Sequence, residues 1–281
     1  MGHNPARQFA VLTTLYRSDR LDYFELAIRS IETQETDASI RIYLCIDGDL
    51  PEEHEAYLNA NATRFYKILR NSENLGLARS LNNLIDVLED EDLVFRMDGD
   101  DISDPRRFAV QAAYMDSHPE IGLIGCQAYD IDEEGKVVGK REFATDPQDV
   151  ARLMSRMTSI LHPTFCIRRS ILRDPEARYP EAYLTEDAAF IILLLGKGVR
   201  VANIDEFLFF WRVSRNFFHR RTSLKRGFTE LLLYGKATRL NYGILTPQYV
   251  YPIARFAIRC LPNMFVRKIY RSGLRKRAMK R

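Results

Sequence analysis

Three times in the first hundred residues the chain passes from a short apolar run to a segment of helical period, ending on a fourth apolar run. That alternation is the mark of a largely parallel sheet covered by helices. Phe9 to Thr14 reads as a buried strand, and Leu21 to Gln34 has apolar residues at 24, 27, 28 and 31, the spacing of one helix face. Ile40 to Ile46 is a second strand. A helix from Pro51 to Asn61 follows, with Pro51 suited to a first turn. Phe65 to Leu69 is a third strand. Leu77 to Leu88 is a helix with Leu81, Leu84, Ile85 and Leu88 on one side, and Leu93 to Met97 is a fourth strand, apolar except for Arg96.

Beyond residue 101 the pattern loosens. A helix is predicted from Pro105 to Ser117, a strand from Ile121 to Gln127, a turn at Asp132 to Gly135 and a hairpin return from Val137. Pro147 to Met157 reads as helix, Thr164 to Arg168 as strand, and Ala188 to Leu195 as an apolar helix whose end suits Gly196 and Gly198. Two short strands, Val199 to Ala202 and Phe207 to Trp211, come next, and helices are predicted from Leu224 to Leu240 and from Val250.

The fourth strand runs straight into Asp98-Gly99-Asp100-Asp101. Acids packed this closely raise one another's pKa, and a divalent cation removes the repulsion. Mg²⁺ and Mn²⁺ take oxygen ligands, typically one or two carboxylates together with substrate phosphates. Gly99 lets the backbone come close to a ligand. In an open α/β sheet, ligands bind beyond the carboxyl ends of strands, where this cluster falls. The competing reading is a solvated acidic turn leading to a helix cap at Asp104. Further acids stand at strand ends or helix starts, at Asp47, Glu186 and Asp187, with Thr185 placed to cap the helix behind the last two.

Composition narrows the class. With 281 residues, 46% hydrophobic and 28% charged, the chain holds one large domain or a domain with an appendage. No leader pattern precedes Phe9, and no run of about 18 apolar residues suggests a membrane span; the expectation is a cytoplasmic protein. The four cysteines form no CxxC pair, and Cys45, Cys126 and Cys166 lie in apolar runs, so reduced thiols are expected rather than disulfides or zinc. The turn Leu15-Tyr16-Arg17-Ser18 lacks the glycines of a dinucleotide-binding loop. The same lack disfavours a sugar-nucleotide nucleotidyltransferase, one of two rival readings; the other is a catalytically silent membrane- or protein-binding module.

In order along the chain stand Thr13-Thr14, Asp47-Gly48, Asn74-Leu75-Gly76-Leu77-Ala78, Asp98-Gly99-Asp100-Asp101, His162-Pro163-Thr164, Glu186-Asp187 and Trp211-Arg212. Over roughly residues 9 to 222 this set resembles the inverting glycosyltransferases of family 2, enzymes of GT-A fold active in surface polysaccharide biosynthesis. The resemblance implies a mostly parallel central sheet flanked by helices, a catalytic domain over 1–222, and a basic helical segment over 223–281. It implies a metal-dependent transfer of sugar from a nucleoside diphosphate, UDP by preference, to a hydroxyl of a saccharide or lipid-linked acceptor in capsule, exopolysaccharide or O-antigen assembly. It maps Mn²⁺ or Mg²⁺ to Asp98 and Asp100 with Asp101 beside them, the nucleotide to Thr14, Asp47 and Arg79 with Asp98 at its diphosphate, and the general base to Asp187. The second strand departs from the family's Asp-Asp-Gly-Ser ending, reading Ile46-Asp47-Gly48-Asp49. Arg212, Arg220 and Arg221 are candidates for the diphosphate, since arginine suits bidentate phosphate contact. His162 is expected in a structural or acceptor-loop role.

Charge is unevenly spread. Residues 212–281 carry 18 Lys and Arg against one acid, Glu230, a net of +17, whereas residues 1–211 hold 23 basic and 37 acidic residues, a net of −14. From Val250, apolar residues at 250, 253, 257, 258 and 261 recur at helical spacing with Arg255 and Arg259 on another side. Such a segment suits an anionic membrane surface, here the inner face of the plasma membrane, or packing on the catalytic domain or on a second subunit of a homodimer. No recognised nucleic-acid-binding motif accompanies the charge, so nucleic acid is not an expected partner.

Overall fold

A computed structural model describes residues 7–213 and 224–260. Nine strands form one sheet with eight of them in the order β3-β2-β1-β4-β8-β6-β9-β5, and β7 paired to β6 off this path. The first half alternates as the sequence predicts: β1 (Gln8–Leu15), α1 (Leu21–Glu32), β2 (Ser39–Asp47), α2 (Glu52–Ala60), β3 (Lys67–Asn71), α3 (Leu77–Asp86) and β4 (Leu93–Arg96). Their pairings, β1 with β2, β1 with β4 and β2 with β3, are all parallel. The second half is mixed. It holds β5 (Ile102–Ser103), α4 (Arg107–Ser117), β6 (Ile121–Ile131), β7 (Val137–Arg141), α5 (Pro147–Leu153), β8 (Cys166–Arg168), α6 (Arg169–Leu172), α7 (Glu186–Gly196) and β9 (Arg200–Arg212). Here β6 and β9 run parallel, while β8 is antiparallel to both β4 and β6.

Apolar faces sort the helices to the two sides. Phe24, Ile28 and Ile31 of α1 share a core with Phe108, Ala112 and Met115 of α4 beneath β1 and β2. On the opposite side Leu81, Leu84 and Ile85 of α3 join Phe190, Ile191 and Leu194 of α7. Alternation along β4 divides its residues between these cores, Phe95 on the first and Val94 on the second. Helix α5 has a full cap: Asp146 accepts from the backbone N–H of Gln148 at 2.8 Å and of Asp149 at 3.2 Å, with Pro147 in the first turn.

Three local expectations need correction. Val199–Ala202 and Phe207–Trp211 are one strand, β9, because register shifts opposite Cys126 to Ala128 absorb the polar break at Asp205-Glu206. The third strand begins at Lys67, Phe65 instead burying its ring in the core beside Phe24. Thr185 occupies the cap position of α7, but its side chain makes no capping hydrogen bond.

The basic segment contributes α8 (Leu224–Tyr242) and α9 (Val250–Cys260). Helix α8 packs on α5 and α7: Tyr234 and Ala237 are buried, and Asn241 Nδ2 donates to the Ala151 carbonyl at 2.7 Å. Glu230, 1% exposed, holds Arg226 of its own helix and Arg255 and Arg259 of α9, binding the pair together. Cys45, Cys126 and Cys166 are buried free thiols. No described helix is long and apolar enough to cross a membrane.

Candidate active site

The parallel strands end at one edge, and the predicted acids collect there. In register, Thr14 of β1 lies beside Cys45 of β2, and Leu12 beside Arg96 of β4, so Thr14, Asp47 and Asp98 all emerge on the same rim. Gly99 sits where a side chain would be tight, since a Cβ there would stand 3.0 Å from the Phe24 ring and 3.4 Å from the Thr14 carbonyl oxygen.

Asp98, Asp100 and Asp101 each offer a carboxylate oxygen, and these oxygens lie within 4.8 Å of one another. Desolvation by the surrounding protein, then the neighbouring charges of Asp98 and Asp19, push Asp100 up to about 6 although its side chain reaches solvent. Burial, then Asp100 and Asp98, push Asp101 well above the usual carboxylate range. Asp101 accepts the Arg212 backbone N–H at 2.7 Å through Oδ1, and its Oδ2 is buried without a partner. Three clustered carboxylates, one with an orphaned oxygen, fit a hard divalent cation.

Arg212 is 7% exposed and stitched in place. Its Nε donates to the Asp100 carbonyl at 2.8 Å, its Nη1 to the carbonyls of Asp132 and Glu133 at 2.9 and 3.0 Å, and its guanidinium lies 4.0 Å from the centre of the Tyr23 ring. Nε and Nη1 thereby fix the acid loop. Arg220 and Arg221 lie outside the described residues.

Asp47 is 5% exposed and accepts from the backbone N–H of Leu75 at 2.8 Å and of Gly76 at 3.0 Å, and from Asn71 Nδ2 at 2.9 Å. It thereby shapes the loop that opens α3. The preceding turn needs glycine: Gly48 has φ +86°, and a Cβ there would meet the Asn74 nitrogen at 2.9 Å. From α3, Arg79 Nε reaches Glu181 at 2.7 Å, tying that helix to the loop before α7.

That loop delivers Glu186 and Asp187, both half-buried, at the start of α7. Burial, then the Asp187 charge, push Glu186 up to about 7. Leu184, two residues earlier, has φ +53°, the only non-glycine in the left-handed region among the described residues. For a bulky side chain this is local strain. His162 is 8% exposed, shares a hydrogen bond of 3.1 Å with the Tyr179 hydroxyl, and is held well below its ordinary pKa by burial and then by Arg96. It is neutral at pH 7, in keeping with a structural role.

Tyr179 connects the two sets of acids. Burial raises its hydroxyl, and the charges of Arg96, Asp187, Glu186 and Asp98 all act on it, so both sets of acids lie within electrostatic reach of one buried group. Three participants escaped the sequence reading: Asp19, which adds its charge to Asp100; Arg96, ion-paired with Asp98; and Arg107, fully buried, whose Nη2 donates to the Arg96 carbonyl at 3.0 Å. The acid after the first strand was a visible sign of Asp19. For the arginines the only sign was charge inside apolar patterns.

Known proteins resemble this chain in sequence and in fold. Residues 11–174 match the family model described as glycosyl transferase family 2. An uncharacterized glycosyltransferase of Haemophilus influenzae is 30% identical over 96% of this chain and all of its own length. The amylovoran biosynthesis glycosyltransferase AmsE of Erwinia amylovora is 27% identical over 93% of this chain and 96% of its own. The UDP-Gal:alpha-D-GlcNAc-diphosphoundecaprenol beta-1,3-galactosyltransferase of Escherichia coli is 24% identical over 96% and 97%. Among solved structures, S. aureus TarS 1-349 in complex with UDP-GlcNAc superposes with a TM-score of 0.61 at 16% identity, covering 91% of this chain and 82% of that one. The mannosyltransferase PcManGT of Pyrobaculum calidifontis, in complex with GDP-Man and Mn²⁺, gives 0.62 at 14% identity, covering 92% and 72%. On the family match and the near full-length relatives, this chain belongs to glycosyl transferase family 2.

Proposed function

We propose that the protein is an inverting, metal-dependent glycosyltransferase of polysaccharide assembly. It moves a sugar from a nucleoside diphosphate, UDP by preference, to a hydroxyl of a saccharide or lipid-linked acceptor. What carries this reading is the cluster of Asp98, Asp100 and Asp101 after the end of β4, with Asp98 of that cluster and Glu186 and Asp187 from the start of α7 all within electrostatic reach of the buried Tyr179 hydroxyl. The relatives named for amylovoran biosynthesis and for galactosyl transfer to a diphosphoundecaprenol-linked sugar support the setting and the acceptor class. The neighbours crystallised with UDP-GlcNAc and with GDP-Man and Mn²⁺ support the donor class and the cation.

In this reading Asp98, Asp100 and Asp101 hold Mn²⁺ or Mg²⁺. When bound, such an ion offsets the charge of the departing diphosphate. Thr14, Asp47 and Arg79 line the nucleotide side, Asp47 through the loop it shapes, and Arg212 holds the acid loop in register. Asp187 takes the proton of the acceptor hydroxyl as that oxygen attacks the anomeric carbon from the side opposite the diphosphate, inverting it. A retaining route through a covalent intermediate would need a second, nucleophilic carboxylate at that carbon.

We place the protein at the inner face of the plasma membrane. Phe228 and Leu232 of α8, Ile244 and Leu245 between the helices, and Val250 and Ile253 of α9 are exposed, within a segment of net charge +17. Apolar side chains flanked by cations suit an anionic bilayer.

The test of the chemistry is Asp187→Asn beside Glu186→Gln, scoring initial transfer rate and nucleotide affinity. Loss of a general base costs roughly 10²–10⁴-fold in rate, so Asp187→Asn should lose that much while binding nucleotide normally. Near-normal turnover, or a far larger loss in Glu186→Gln, moves the base elsewhere.

A further inference from the structure

Arg96 is the last residue of β4, two positions ahead of the first acid of the cluster, yet it is only 2% exposed. Arginine is almost never fully buried unless paired. Here Nη1 is ion-paired with Asp98, while Nε and Nη2 are buried without a hydrogen-bonding partner. The backbone is fixed on both sides: the Arg96 N–H donates to the Phe165 carbonyl at 2.9 Å, and its carbonyl accepts from Arg107 at 3.0 Å. Arg107 is itself buried and cationic, so it brings no relief of charge. The charge of Arg96 acts on Asp100, Asp101, Glu186, His162 and Tyr179, so both groups of carboxylates feel it.

We propose that Arg96 is a built-in counter-cation that fills the electrostatic place of the divalent ion at Asp98 in the donor-free protein and makes cation binding conditional on the nucleotide. This rests on the reading of the acid cluster as a cation site. Three carboxylates within 4.8 Å repel one another, and one enclosed positive charge offsets that repulsion with no metal present. A bare dication approaching Asp98 meets a fixed like charge that cannot withdraw. A dication that carries a diphosphate brings its own negative charge, and the penalty disappears. Cation and nucleotide therefore depend on each other, and by linkage the dependence is mutual.

The experiment is titration calorimetry of the full chain at pH 8 with MnCl₂, without and with saturating UDP, for wild type, Arg96→Met and Arg96→Lys. Methionine fills the space without charge; lysine keeps the charge. Arg96→Met is expected to bind Mn²⁺ alone about tenfold more tightly than wild type, and the factor by which UDP tightens Mn²⁺ should shrink to match. Arg96→Lys should behave like wild type. Unchanged or weaker Mn²⁺ binding by Arg96→Met overturns the proposal, as does an unaltered coupling factor with only a lowered melting temperature. Should Arg96→Met not fold, wild type alone decides: Mn²⁺ binding as tight without UDP as with it also overturns the proposal. Wild type that takes no Mn²⁺ even with UDP brings down the cation reading as well.

Discussion

Glu230→Gln probes how the two basic helices, α8 and α9, are held to each other. The Glu230 carboxylate is 1% exposed and lies 3.1 Å from Arg226 Nε, 2.9 Å from Arg255 Nε and 2.9 Å from Arg259 Nη2. Burial alone would raise its pKa, but Arg255 and Arg259 overcome this and hold it at about 2, against an ordinary value of 4.5. A depression of that size is worth about 3 kcal/mol of stability at neutral pH. Because the folded value lies below the unfolded one, this stability is complete above about pH 4.5 and is lost as pH falls toward 2. Glutamine keeps the shape and removes the charge, leaving three guanidiniums without their anion, a change of about 3–5 kcal/mol for a buried pair. The assay is urea denaturation of both proteins, followed by circular dichroism, at pH 7.5 and pH 3.5. Other carboxylates titrate equally in the two chains, so the difference between them isolates Glu230. The gap should be about 3 kcal/mol at pH 7.5 and about 1.4 kcal/mol smaller at pH 3.5. A gap below about 0.5 kcal/mol at pH 7.5, or one that does not narrow in acid, refutes the reasoning.

Asp100→Asn should weaken Mn²⁺-dependent UDP binding strongly while the fold survives; unchanged calorimetric affinity would count against the cluster as a cation site. Gly48→Ala places a side chain at φ +86° against the Asn74 nitrogen. The left-handed backbone alone costs about 1–2 kcal/mol, so a lowered melting temperature and weaker UDP binding are expected, and a variant as stable as wild type would contradict the tight turn. The full chain should co-sediment with phosphatidylglycerol vesicles at low salt and less so at high salt, and the double change Phe228→Ser, Leu232→Ser should release it. Failure of wild type to sediment, together with self-association in solution, would assign that face to a second copy of the chain.

The parallel half of the sheet was legible because β1, β2 and β4 are mainly apolar runs between helices of clear period, and such patterning is local. The acid loop was legible for the same reason, since it follows β4 directly. What sequence could not supply was partnership at a distance. Nothing local says that the Arg212 guanidinium meets carbonyls 79 to 112 residues away. Arg96 and Arg107 look like interruptions of apolar segments; only the fold turns them into buried cations beneath an acid cluster. Strand β9 reads as two short strands because Asp205 and Glu206 break its apolar pattern, and the irregular pairing with β6 that accommodates them leaves no trace in composition. The raised Glu186 was missed because its burial is tertiary, whereas helical position alone assigned it to a different face from Asp187.

The junction between β4 and β8 bears on how such enzymes can be recombined. Three residue pairs, Leu93 with Arg168, Val94 with Ile167 and Phe95 with Cys166, join the all-parallel half to the mixed half. So short a seam invites exchange of one half between related chains. The acid loop, however, belongs to both halves. Ile102 and Ser103 pair with Phe210 and Phe209 of β9, and the next residues of that strand bring the Arg212 N–H to Asp101. A working chimera therefore has to inherit residues 98–103 and the end of β9 from the same parent, even though more than a hundred residues separate them in the gene. A crossover between them would keep every acid and lose the loop that aligns them.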